Sequence, residues 1–128
     1  MATILVVEDN ASLREMVHEV LESEGYVVLE AADPDQAFSV SRSHKETIHL
    51  ALTDVTQPRM SGQELAEALL ADRPDMRILY MSGYPSSVIN PDGEPDPTIH
   101  FIEKPFTTAA LLSKVRELLE GPPAKRGS

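Results

Sequence analysis

Five short apolar runs, four of them followed by residues at helical spacing, set the pattern of the chain. Thr3 to Val7 is apolar and β-branched without alternation, as in a strand buried on both faces. Ser12 and Glu15 then form an S-x-x-E capping box. Leu13, Met16, Val17, Val20 and Leu21 follow at helical spacing and predict an amphipathic helix ending near Gly25. YVVLEA (26–31) predicts a second strand, and Asp33, Pro34 and Gln36 supply an N-cap, an N1 proline and an N3 partner for a helix to about Ser43. HLALTD (49–54) predicts a third strand. Ser61 and Glu64 repeat the capping box before a helix that turns Leu65, Ala66, Leu69 and Leu70 inward and stops before Pro74. RILYMS (77–82) and HFIEK (100–104) predict strands four and five, and Thr107 opens a last helix with Leu111, Leu112, Val115, Leu118 and Leu119 on one face.

This alternation of strand and helix predicts an α/β fold: a parallel sheet covered by helices on both faces, with right-handed crossovers restricting its topology. One domain is expected over residues 1–120, with GPPAKRGS (121–128) as a flexible tail. One stretch interrupts the pattern. Between Tyr84 and Thr98 stand Pro85, Pro91, Pro95 and Pro97, with Asn90 and Gly93 among them. A regular helix does not persist through that spacing, because each interior proline removes a hydrogen bond and clashes with the preceding turn.

Composition narrows the function classes. The 128 residues contain no cysteine, which excludes a disulfide framework and thiolate zinc sites. The formal net charge of −10 repels phosphate backbones and argues against direct nucleic-acid binding. No apolar run approaches ~18 residues and no export pattern opens the chain, so a cytoplasmic protein without membrane association is expected.

The candidate chemistry lies at the strand ends. In an open parallel sheet, ligands bind beyond the carboxyl edge of the strands, beside a topological switch point. Glu8 and Asp9 follow strand 1, Asp54 ends strand 3, Ser82 ends strand 4 and Lys104 ends strand 5. Parallel strands would bring all five into one pocket. Alone, an acid at a strand end is ordinarily a turn former, but three carboxylates in one cleft require a cation. Oxygen ligands without Cys or a His cluster favour Mg²⁺. A nucleophilic carboxylate with Mg²⁺, a lysine and a hydroxyl suits phosphoryl transfer, where catalysis is mostly positioning and charge neutralisation. His18, His44, His49 and His100 show no ligand spacing and are expected at the surface or in structural hydrogen bonds.

ILVVEDN, LTDVTQPRMSG, MSGY and FIEKPF, in this order, resemble the receiver domain of two-component response regulators, over Thr3 to about Glu120. MSGY with FIEKPFT is also similar to the C-terminal receivers of hybrid sensor histidine kinases. The resemblance implies a doubly wound, flavodoxin-like five-stranded parallel sheet of order 2-1-3-4-5, its fourth helix, between strands 4 and 5, degenerate here. It implies that Asp54 is the phosphoacceptor, taking its phosphoryl group from a histidine kinase or histidine phosphotransfer protein. It further implies that Asp9 ligates Mg²⁺ directly, Glu8 mainly through water, and Thr56 through its backbone carbonyl. Lys104 would pair with Asp54 and then with phosphoryl oxygens, and Ser82 would donate its hydroxyl to them, with Gly83 leaving room. Phe101 matches the aromatic that changes rotamer with Ser82, and Pro105 the proline after a cis peptide bond. Mg²⁺-dependent self-phosphorylation and autodephosphorylation of a conformational switch come with the family, and a weak homodimer stays open.

Gln57 stands where receivers often carry Met, and the Pro-rich 85–98 stretch puts the family's usual output face in doubt. The resemblance leaves open a stand-alone receiver, a module of a hybrid kinase, or a degenerate receiver that binds a partner without phosphorylation. A haloacid-dehalogenase-type phosphatase would need D-x-D, but residue 56 is Thr. A flavodoxin-like cofactor binder would need a Ser/Thr/Gly loop where EDNASLRE offers acids.

Overall fold

β1 (Thr3–Val7) is buried along its whole length, because it lies inside the sheet and helices cover both sides. The computed structural model describes residues 2–54, 62–82, 100–104 and 106–120. The remaining elements are α1 (Ala11–Ser23), β2 (Val27–Ala31), α2 (Pro34–Ser43), β3 (Leu50–Asp54), α3 (Gly62–Asp72), β4 (Arg77–Ser82), β5 (Phe101–Glu103) and α4 (Thr108–Glu120). The strands form one sheet in the order β2-β1-β3-β4-β5, every pairing parallel. This is the doubly wound architecture expected. The stretch 85–98, with the expected degenerate helix, lies outside the described residues, as do Thr56, Gln57, Ser61, Gly83, Pro105 and the tail 121–128.

Strand alternation divides the core in two. Leu5 and Val7 face one side, with Ala51, Ile78 and Tyr80 from the sheet, Ala37 from α2, and Leu65, Ala66 and Leu69 from α3. Ile4 and Val6 face the other, with Leu52, Leu79 and Met81, Val17 and Leu21 from α1, and Leu111, Val115 and Leu118 from α4. Each fully buried Leu or Val stabilises the fold by about 1.5–3 kcal/mol. That is why these strands read as continuous apolar runs.

Local chemistry sets the helix ends. The start of α1 departs from expectation: Asn10, not Ser12, is the N-cap, its side chain accepting from the Leu13 N–H at 2.9 Å. Asn10 is extended (φ −80°, ψ 111°) and caps as well as Ser does, so the helix begins two residues before the Ser12 box could act. At the other end Gly25, at φ 92°, takes the left-handed turn. Its N–H reaches the Glu22 carbonyl and that of Tyr26 the Leu21 carbonyl, closing the helix as a Schellman motif. Asp33 caps α2 through the Gln36 N–H (2.8 Å), and the Gln36 side chain accepts from Ala32, one residue before the cap. Thr107 caps α4 through the Ala110 N–H. Arg73, just after α3, ties down the loop after α2 by donating to the Ser41 hydroxyl and to the carbonyls of Ser41, His44 and Glu46.

Candidate functional site

Register brings the carboxyl ends of four strands level. Val7 pairs with Thr53, Asp54 with Met81, and Ser82 with Glu103. Glu8 therefore continues β1 beside Asp54, and Lys104 continues β5 past Ser82. Glu8 is 1% exposed and Asp54 5%, whereas the adjacent Asp9 is exposed. One carboxylate oxygen from each of Glu8, Asp9 and Asp54 lies within 4.8 Å of the others.

Lys104 links the two buried acids. Its ammonium donates to Glu8 Oε1 at 3.1 Å and forms a close ion pair with Asp54 Oδ1. The Asn10 N–H donates to Glu8 Oε2 at 3.0 Å. Burial, then hydrogen bonding to Asp54, pushes the Glu8 carboxyl above its ordinary range, against the lowering pull of the Asn10 N–H and the Lys104 charge. Burial alone would lower the Lys104 ammonium, but its hydrogen bond to Asp54 and the charges of Asp54 and Glu8 outweigh burial and raise it. Lys104 is thus held charged. Three carboxyl groups crowd around one ammonium in the cluster. An all-oxygen donor set with more acids than the one ammonium can balance fits a hard divalent cation.

Four of the residues singled out from sequence, Glu8, Asp9, Asp54 and Lys104, come together here. The Ser82 backbone lies at the same edge, within β4. Phe101 pairs with Tyr80 across β4 and β5 and packs, half-buried, against the core on the α2/α3 side. His49 is structural: its Nδ1 accepts from the Thr3 N–H at 3.0 Å. The sequence reading missed a second polar network beside the acids. Arg14 NH1 donates to the Glu8 carbonyl at 2.7 Å and its Nε to Glu30 Oε1 at 3.1 Å. His18 forms a close ion pair with Glu30 Oε2 and lies 3.5 Å from Glu22. The available signal was the i, i+4 spacing of two basic residues just after an acidic turn.

The family model for the response regulator receiver domain matches residues 4–116. The chain belongs to this family and is a receiver domain of two-component signalling. Among curated relatives it is 32% identical over 119 residues to the sensor kinase CckA of Brucella abortus, covering 93% of this chain but 13% of that kinase. It is 30% identical over 119 residues to the response regulator receiver protein CpdR of the same organism, covering 93% of this chain and 98% of CpdR. Several other curated regulators are matched over about half of their own length. Among solved structures, the receiver domain of the hybrid histidine kinase CckA superposes with a TM-score of 0.78 at 28% identity, covering 93% of this chain and all of that one. The response regulator TrrA of Thermotoga maritima, solved in complex with Mg(2+)-BeF, gives 0.74 at 28% identity, with 92% and 99% covered. No helix among the described residues is long and apolar enough to cross a membrane.

Proposed function

We propose that this receiver accepts a phosphoryl group on Asp54 from the phosphohistidine of a histidine kinase or phosphotransfer protein, with Mg²⁺ bound by Asp9, Asp54, the Thr56 carbonyl and, mainly through water, Glu8. The observation that carries this reading is the Lys104 ammonium joined to both buried acids beside the exposed Asp9. An Asp54 oxygen attacks phosphorus as the phosphorus–nitrogen bond breaks, and the bonding electrons return to the donor imidazole. When bound, Mg²⁺ supplies charge neutralisation for the phosphoryl oxygens. Lys104, released from Asp54 as that oxygen becomes esterified, turns its ammonium to the transferred group. Ser82 donates its hydroxyl there, Gly83 leaves room, and Phe101 follows Ser82 as the switch. The roles of Thr56, Ser82 and Gly83 rest on the motifs alone. An apolar hollow of about 370 Å³ lined by Leu13, Met16, Phe106 and Lys104 gives a phosphodonor protein a surface beside the acceptor. Coverage of nearly all of CpdR and of the CckA receiver supports either a free-standing regulator or a hybrid-kinase module.

Incubation with acetyl phosphate and Mg²⁺, followed by intact-mass measurement, tests the reading. One labile phosphoryl adduct is expected, absent in Asp54→Asn and absent when Mg²⁺ is chelated. An adduct that survives Asp54→Asn overturns the assignment.

A further inference from the structure

Arg14, early in α1, divides its guanidinium between two acceptors from different parts of the chain. One is the Glu8 carbonyl (2.7 Å), the other Glu30 Oε1 on β2 (3.1 Å). The Glu8 carbonyl belongs to the peptide unit joining Glu8 to Asp9, so its orientation sets the relative direction of the two acids. The other end of the Glu8 backbone is tied to the same strand, its N–H donating to the Ala31 carbonyl at 3.0 Å. β2 contributes no side chain to the acidic cluster, yet it holds Glu8 at both backbone atoms, directly and through Arg14. Glu30 is braced in turn by His18, one turn further along α1. A solvated helix-face arginine would leave its fork to water. Here the side chain is only 18% exposed, and a planar fork suits two fixed oxygens better than a lysine would.

We infer that Arg14 is a positioning residue: through the Glu8 carbonyl and Glu30 it holds the Glu8–Asp9 peptide in the orientation that turns both carboxylates toward Asp54. The inference rests on the Mg²⁺ reading of the site and adds to it a residue that touches neither the cation nor the phosphoryl group.

The sign of one measurement separates this role from a purely electrostatic one. Removing a cation near an acidic pocket makes the pocket more negative, so charge alone predicts tighter Mg²⁺ binding in Arg14→Met. Loss of positioning predicts weaker binding. The charge-balanced pair Arg14→Met/Glu30→Gln should be neutral on the first view and weakened on the second.

Isothermal titration with Mg²⁺ on wild type and these variants decides it, with circular dichroism melts reporting the fold. We expect Mg²⁺ affinity to fall about tenfold, the lower end for outer-shell partners of metal ligands, in both Arg14→Met and the double variant. Arg14→Lys should recover part of the loss, since one ammonium reaches one acceptor. Unchanged or tighter binding in folded Arg14→Met overturns the inference. Should Arg14→Met not fold, the charge-conserving Arg14→Lys carries the test: weaker binding supports the inference, and wild-type affinity overturns it. Wild-type protein that binds no Mg²⁺ overturns the reading of the site and this inference with it, whereas normal wild-type binding with unaffected variants overturns this inference alone.

Discussion

Lys104→Met removes the ammonium shared by two buried carboxylates and so tests the electrostatics of the site directly. The Lys104 side chain is 28% exposed, against 2% for Glu8 and 7% for Asp54. Removing one member of a buried pair costs about 3–5 kcal/mol when the remaining charge stays ionised. Protonation sets a ceiling, however: neutralising a carboxyl of ordinary pKa 4.5 at pH 7 costs about 3.4 kcal/mol. Partial exposure of Lys104 trims the loss further, so about 2–3 kcal/mol is expected at neutral pH without divalent cations. The sign of the pH dependence follows from Glu8. Its folded carboxyl is raised, so its contribution to stability is fully present below the unfolded value and is lost as pH rises through the folded value. Without Lys104 one of the influences holding that carboxyl down disappears, and the loss deepens and extends to higher pH. The variant's deficit should therefore be small near the ordinary carboxylate range and largest at neutral pH, and excess Mg²⁺ should narrow it. Urea unfolding followed by far-ultraviolet circular dichroism across that range, with Mg²⁺ or with chelator, measures all three. A deficit that does not vary with pH, or one that Mg²⁺ leaves untouched while stabilising the wild type, refutes the reasoning.

Three further outcomes follow from contacts outside the acid cluster. Asn10→Ala should destabilise the protein by about 1 kcal/mol through loss of the α1 cap, while Ser12→Ala leaves urea midpoints near the wild-type value. His18, raised because its ion pairs with Glu30 and Glu22 outweigh burial, contributes stability that is complete below its unfolded value and is lost as pH rises through its folded value. His18→Gln should flatten the part of the stability profile that runs upward in pH from the ordinary histidine value of 6.5. Arg73→Met should cost about 2 kcal/mol and speed amide hydrogen exchange over residues 41–46, where its guanidinium bonds end.

Most element positions were legible in the sequence because their causes are local. The apolar runs at 3–7 and 77–82, the Asp33-Pro34-Gln36 start and the Gly25 stop depend on neighbours within a turn or two, and the observed elements follow them within about a residue. The cap of α1 was misread because Asn10 and Ser12 are both competent. Only the path of the chain leaving β1 selects Asn10. The acids at 8, 9 and 54 and the lysine at 104 were identifiable as strand-end residues. Their convergence needs parallel pairing in register, which joins residues up to 96 positions apart in the chain. Burial separates Glu8 from Asp9, which adjacent letters cannot do: Glu8 is hydrogen-bonded into the line of the sheet, and the chain turns outward at Asp9. Nothing along the chain joins Arg14 and His18 to Glu30 until β2 is laid beside α1. An ion pair across 12 or 16 residues leaves no periodic signature, and only the tertiary packing of α1 on β2 brings Glu30 to them.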